Sequence, residues 1–255
     1  MVQKQESEVR EARPNDATAI RRIARSSLEY TDSEVLSPET IGKVVDKWYE
    51  PDSFEPRLEN PDTIVVVGKL GSEITGFADA VLEDDGEVGV INWLLVDPHH
   101  RREGFGEAIL DEIETTLMEA DASRIEGLVL GDNEVGNAFY EAEGYTLKGS
   151  RTIELGGETV RENRYLRVPG VDTVEGLLEP VEIDGRTVYV ALDERERGTE
   201  DPFYKVYSDE ERSESYGFYC ANCTSMGVSM DTMGQMICEE CGNRRKHTRW
   251  DSVYM

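Results

Sequence analysis

Nine residues, Val88 to Val96 (VGVINWLLV), are almost uninterruptedly apolar. A strand of that kind has to be covered on both faces, so it belongs inside a sheet with helices above and below. Asp97-Pro98 ends it, and an amphipathic helix follows over Gly104–Ala120, with Phe105, Ile109, Ile113 and Leu117 four apart. Between the two lies Arg101-Arg102-Glu103-Gly104-Phe105-Gly106. A strand that enters a helix through a glycine turn brings free backbone N–H groups to one point, where the helix dipole also favours an anion. Gly104 and Gly106 let a phosphate approach the backbone closely, and Arg101 and Arg102 add donors and positive charge. The turn therefore predicts a pyrophosphate ligand. A dinucleotide fingerprint needs a small residue where Ile109 stands, and the P-loop pattern is absent.

The flanking sequence continues the alternation. Strands are expected at Glu8–Ala12, Thr63–Lys69, Ile74–Leu82 and Arg124–Leu130. Helices are expected at Asp16–Glu29, Pro38–Trp48 and Val135–Ala142. Asp84-Asp85-Gly86 marks a turn, and Tyr145–Leu155 with Thr159–Val168 reads as a last hairpin around Gly156-Gly157. The order β-α-α-β-β-β-α-β-α-β-β predicts an α/β domain, a mixed sheet with helices on both faces, over residues 1–168. Pro169-Gly170-Val171-Asp172 reads as a linker to a second, β-rich module over 169–255. There Asp184-Gly185 centres a hairpin within Val181–Leu192, and Arg195–Asp201 reads as a charged loop.

The turn Arg-x-x-Gly-x-Gly, with its preceding strand, resembles the acetyl-CoA motif of the GNAT superfamily of N-acetyltransferases. A second stretch, Asn133 to Tyr145 (NEVGNAFYEAEGY), resembles the later motif of that family, although one residue rather than two separates Ala138 from Tyr140. The order of elements along residues 8–168 is similar as well. The resemblance implies the acyl-CoA N-acyltransferase fold. It implies that a primary amine, on a small molecule or a peptide, attacks the thioester of acetyl-CoA directly. The fourth strand would splay from the fifth, so that the pantetheine arm pairs with exposed backbone. Leu94, Leu95 and Val96 would make that contact, with a backbone N–H near Leu94 or Leu95 polarising the thioester oxygen. Arg101, Arg102, Glu103, Gly104, Phe105 and Gly106 would hold the pyrophosphate, Asn133 and Asn137 the cofactor arm. Tyr140 matches the general acid that protonates the leaving thiolate; the bland alternative is a core tyrosine beside Phe139 and Tyr145. Where several family members place a basic carboxylate on the fourth strand, this chain has Asn92, which cannot take a proton at neutral pH. Glu83, Glu87, His99 or a water chain stand as substitutes, or the amine arrives already deprotonated. Asp32, Glu34, Asp52 and Glu55 can attract a cationic amine, but in so acidic a chain they read first as solvated surface.

Cys220-x-x-Cys223 and Cys238-x-x-Cys241, fourteen residues apart, have the spacing of a zinc ribbon with four thiolate ligands. Four protein ligands leave no open position, so Zn2+ there would be structural. The run Arg244, Arg245, Lys246, His247, Arg249 follows the last cysteine. Residues 169–255 nonetheless hold 18 acidic and 9 basic side chains. A protein partner or a second copy of the chain is expected there rather than nucleic acid.

Charge excludes more than it assigns. The chain of 255 residues carries a net charge of −27, and its cations are 20 Arg and 7 Lys. Acidic excess with little lysine fits solubility in concentrated salt and a halophilic archaeal origin, and it opposes general binding to nucleic acid. The sequence has no apolar run long enough for a membrane span and no apolar signal core at its start, so a cytoplasmic protein is expected. Two function classes remain. The first is an acetyl-CoA-dependent N-acetyltransferase. The alternative is a non-catalytic acetyl-CoA sensor whose zinc module binds a protein partner.

Overall fold

The computed structural model describes residues 7–33, 35–83, 86–170, 177–183, 185–230 and 234–246. Several sequence expectations fall outside them: Glu34, Asp84 and Asp85 of the turn, Val171 and Asp172 of the linker, Asp184, and His247 and Arg249 of the basic run. The chain divides into two compact units. The first comprises Met1–Tyr145 and Thr152–Gly170, and the second Thr146–Arg151 and Val171–Met255. No described helix is long and apolar enough to cross a membrane.

The first unit runs β1 (Ser7–Glu11), α1 (Ala17–Thr31), α2 (Pro38–Tyr49), α3 (Pro51–Leu58), β2 (Thr63–Leu70), β3 (Glu73–Glu83), β4 (Val88–Val96), α4 (Phe105–Glu119), β5 (Arg124–Leu130), α5 (Glu134–Ala142), the second half of β6 (Thr146–Leu155), and β7 (Glu158–Arg167). The sheet order is β1-β2-β3-β4-β5-β7-β6. The β4–β5 pair is parallel, and β1–β2, β2–β3, β3–β4 and β5–β7 are antiparallel. This is the mixed sheet that the alternation predicts.

Helix α1 buries Ile20, Ile23, Ala24 and Leu28, and α2 starts where Ser37 Oγ accepts the Thr40 N–H at 3.2 Å. Helix α3 is not legible as a period: Phe54 is its one fully buried side chain, and eight residues with one anchor carry little pattern.

Strand β4 is irregular in two places. Asp79 of β3 faces Trp93 while Ala80 faces Ile91, so Asn92 is an extra residue, a β-bulge. Asp79 is 1% exposed and is held beside that bulge by Arg57 at 2.8 Å and the Tyr49 hydroxyl at 3.1 Å. The register of β4 with β5 ends one residue earlier, at Ile91 and Gly127. Beyond it β4 runs on to Val96 and β5 to Leu130 without pairing.

The second unit holds a four-stranded sheet in the order β11-β10-β9-β8 and a two-stranded ribbon, β12 with β13. The strands are β8 (Leu178–Ile183), β9 (Arg186–Glu196), β10 (Phe203–Tyr207), β11 (Ser215–Cys220), β12 (Val228–Met230) and β13 (Met236–Cys238). The loop expected from Arg195 onward begins later. Arg195 and Glu196 still pair with Tyr204 and Phe203 across a bulge, because the backbone ladder tolerates charged side chains on its outward face.

Candidate active site and cysteine cluster

Where β4 and β5 part, the first unit opens a cleft of about 610 Å³. Leu94, Leu95 and Val96 form one wall and Leu128, Val129 and Leu130 the other. Arg101, Arg102, Gly104 and Gly106 of the turn line it too, as do Asn133, Gly136, Phe139 and Tyr140 of the α5 region, Tyr30 and Thr31 of α1 and Asp32 at its C-terminal cap. Successive peptide groups of a strand point to opposite edges, so of Leu94 and Leu95 one presents its N–H to β3 and the other to the open side.

The turn before α4 has the backbone that an anion cradle needs. Gly104 caps the helix with φ +84°, and a Cβ there would meet nothing within 4 Å. The left-handed conformation favours glycine, and the empty space in front of it is where a ligand can approach. Asp97 braces the preceding turn. Its carboxylate accepts the His99 N–H at 3.1 Å and the Arg22 guanidinium at 2.5 Å. Burial pushes this carboxyl up, but those two donors outweigh it and hold it at about 2. Arg101 turns toward α1, donating to Ser27 Oγ at 2.9 Å and lying 4.7 Å over the Tyr30 ring. Glu103 and Phe105 do not line the cleft. Glu103 sits beside the His100 ring nitrogen, and Phe105 packs edge-on against that ring.

Tyr140 stands both among aromatic side chains and on the cleft. Its ring is stacked on Tyr165 at 5.8 Å and meets Tyr145 edge-on at 4.9 Å, as a core tyrosine would. Its hydroxyl is buried without a hydrogen-bond partner, and the residue lines the cleft. Burial, with Glu114 nearby, raises the phenol well above its ordinary pKa, so it holds its proton. The ring lies against the Gly127 backbone so closely that a Cβ there would stand 2.3 Å from Tyr140 Cε1. Asn133 lines the cleft and caps α5 by accepting the Gly136 N–H at 2.8 Å. Asn137 does not line it. Its amide donates to the carbonyls of Leu130, Gly131 and Asn133 and accepts from Asn163 and Tyr165. That exhausts the side chain in joining α5 to β5 and β7.

Of the groups considered as a base, Glu83 and Glu87 are exposed and flank the start of β4, the end away from the cleft. His99 points outward with its side chain 90% exposed. Asp32 reverses the sequence expectation. Instead of solvated surface it is 1% exposed, at the C-terminal cap of α1, and it lines the cleft. No periodicity marks such a position, because a helix cap is buried only by what the rest of the fold lays over it.

In the second unit the four cysteine Sγ atoms lie within 4.8 Å of one another. Cys220 and Cys241 are 3.7 Å apart and Cys223 and Cys238 3.4 Å, too far for disulfides. Thiolates 2.3 Å from one tetrahedral zinc stand roughly 3.8 Å apart, so the donor set fits that metal. The two knuckles share one backbone design. The residue after the second cysteine, Thr224 (φ 58°) or Gly242 (φ 75°), is left-handed, and its N–H donates to the first cysteine's carbonyl at 2.8 or 2.9 Å.

Comparison with known proteins matches these two regions to two families. Residues 26–145 match the acetyltransferase (GNAT) family, and residues 184–255 match a family of unknown function, DUF5816. An uncharacterized N-acetyltransferase of Mycobacterium bovis is 25% identical over 153 residues, 60% of this chain and 96% of the relative. An acetyltransferase of Sodalis glossinidius is 25% identical over 119 residues, 46% of this chain and 82% of the relative. Among solved structures, the PaiA N-acetyltransferase of Thermoplasma acidophilum in complex with coenzyme A aligns with a TM-score of 0.53 at 18% identity, over 62% of this chain and 98% of its own. A GCN5-related N-acetyltransferase of Rhodopseudomonas palustris aligns at 0.54 and 20%, over 66% and 98%. The parted parallel strands, the glycine turn and the matched sequence agree: the first unit has the mixed α/β GNAT fold, and residues 26–145 are similar in sequence to the acetyltransferase (GNAT) family.

Proposed function

We propose that the first unit moves an acetyl group from acetyl-CoA to a primary amine by direct attack, with Tyr140 as general acid. The observation that carries this is the loss of β4–β5 pairing after Ile91, which leaves strand backbone unpaired in a cleft that the Gly104 turn also lines. The residues fit the cosubstrate. The Gly104–Gly106 amides and the Arg101 and Arg102 side chains offer donors to a pyrophosphate at the start of α4. The open edge of β4 near Leu94 and Leu95 offers backbone donors and acceptors to a pantetheine arm, and one N–H to the thioester oxygen. Tyr140, which keeps its proton at neutral pH, has an unpartnered hydroxyl to give to a departing thiolate.

For the second unit the reading is a structural zinc site of Cys220, Cys223, Cys238 and Cys241. The metal would supply cross-linking: four thiolates leave it no position for water or substrate. The clustering of four sulfurs on two matched knuckles supports it.

The test is a titration with acetyl-CoA at high salt, followed by acetyl-CoA consumption with a panel of primary amines. Acetyl-CoA should raise the melting temperature, and at least one amine should be acetylated. Absence of any acetyl-CoA binding would overturn the reading.

A further inference from the structure

Asp32 is fixed in place by the turn that ends α1. Its N–H donates to the Leu28 carbonyl at 2.9 Å, and its own carbonyl accepts from Leu36 at 2.7 Å. One carboxylate oxygen, Oδ2, accepts from Thr31 Oγ1 at 2.5 Å. The other, Oδ1, is buried with no hydrogen-bond partner. Five other buried carboxylates are treated differently. Asp16, Asp79, Asp97, Glu114 and Glu126 each hold an arginine between 2.5 and 2.8 Å away. Asp32 makes no ion pair among the described residues, since Arg101, the cation facing it, donates to Ser27 instead.

A buried polar atom without a partner costs on the order of 1–3 kcal/mol, and a stable fold keeps one where something else completes it. In this cleft two side-chain atoms are in that state, Asp32 Oδ1 and the Tyr140 hydroxyl. The first is an acceptor with a negative charge to share. The second is a donor that keeps its proton.

We propose that Asp32 is the carboxylate that receives the acceptor amine as an ammonium ion and takes its proton. This rests on the acetyl-transfer reading and adds the acceptor class: a primary alkylamine, cationic in solution. Asp32 removes one proton from the ammonium, and the freed lone pair forms the N–C bond to the thioester carbonyl. As the C–S bond breaks, Tyr140 protonates the thiolate and recovers the second N–H proton. The products are the amide, the thiol and one proton, which Asp32 releases to solvent.

The surroundings suit a base. Burial raises this carboxyl above its ordinary pKa, and Thr31, Arg101 and Asn133 offset part of that rise. The titratable groups on the cleft wall with it are Tyr30 of α1, His100, Arg101 and Arg102 of the turn, Glu107 of α4 and Tyr140 of α5. A base with a raised pKa exchanges protons with an ammonium more readily than an ordinary carboxylate does.

The test compares wild type with Asp32→Asn, which keeps the size of the side chain and an acceptor for Thr31. Two acceptors are used at saturating acetyl-CoA: an alkylamine, and aniline, which is uncharged at the assay pH. The variant should bind acetyl-CoA as wild type does and lose about 100-fold in kcat/KM for the alkylamine, the usual scale of acid–base catalysis. Aniline should lose far less, so the alkylamine-to-aniline ratio falls. If Asp32→Asn does not fold, Asp32→Ser reads the same ratio. An unchanged ratio overturns the proposal, as does a wild type that binds acetyl-CoA but acetylates no alkylamine. A wild type that does not bind acetyl-CoA fails at the earlier step and overturns the acetyl-transfer reading itself.

Discussion

The core of the first unit and the cysteine ribbon of the second are built differently. The first buries a continuous apolar core built from α1, α2, β2, β3 and β4, with Ile20, Ile23, Leu28, Ile41, Val45 and Phe77 almost wholly removed from water. A core of that size can carry defects: a bulge at Asn92, strands that part, and two buried polar atoms without partners in one cleft. In the second unit the apolar cluster around the ribbon is Phe203 and Met236 with two of the cysteines, Cys220 and Cys238. So small a cluster cannot tolerate such defects, and it has few apolar contacts to lose. Strain and open backbone are kept where the surrounding core is large. The four clustered thiols, and the metal cross-link proposed for them, fall where it is small.

The sharpest way to break this comparison is to remove the metal proposed for the second unit. A chelator, or Cys238→Ser, should withdraw about 10 kcal/mol of metal-binding free energy from that unit. Hydrogen exchange should accelerate across β10, β11 and β13, while the first unit keeps its protection and its acetyl-CoA binding. Uniform exchange before and after chelation would show that the second unit stands on its own core.

The next test addresses the defects. Tyr140→Phe should cut kcat by about 100-fold with acetyl-CoA affinity unchanged. Because the hydroxyl has no partner to lose, the variant should melt at or above the wild-type temperature, which differential scanning calorimetry can read. Unchanged turnover would remove Tyr140 from the chemistry and return it to the aromatic core.

A smaller effect is expected at Asp97, which the first unit does pair. A carboxyl held at about 2 against an ordinary 3.8 stabilises the fold at pH values above 3.8, and that contribution disappears as the pH falls toward 2. Asp97→Asn should therefore cost about 2 kcal/mol at neutral pH, with the gap to wild type narrowing between pH 4 and pH 2 in denaturant titrations. The smallest effect is expected for Gly104→Ala. Nothing occupies the space of the new methyl, so the cost is the left-handed backbone alone, about 1 kcal/mol in melting. Acetyl-CoA affinity should fall as well if a phosphate approaches there as proposed, since the methyl would stand in its path.

Much of the first unit was legible along the chain. The limits of β4 and β5 follow from apolar runs ended by Asp97-Pro98 and by Gly131-Asp132, and α1 and α4 from apolar residues at helical spacing. Helix α3 was not, because one buried Phe54 in eight residues makes no period. The glycine turn and Tyr140 could be singled out because each belongs to a local motif, and both line the cleft. Asn137 could not be assigned correctly from its motif, since five hydrogen bonds to β5, β7 and its own helix consume an amide expected to meet the cofactor. Asp32 could not be singled out among the many acidic residues, as burial of a helix cap depends on segments far away in the chain.

What the sequence determined by itself is local: which segments are strands and helices, where backbone N–H groups converge before α4, and which four thiols share a metal-binding pattern. Each comes from spacing along a few tens of residues. The tertiary structure alone decided where β4 leaves β5, which carboxylate of a strongly acidic chain is taken out of water, and which polar atoms are left unpaired there. Those are properties of solvent exclusion, and exclusion is set by all the elements packed around a point rather than by the residues adjacent to it in sequence.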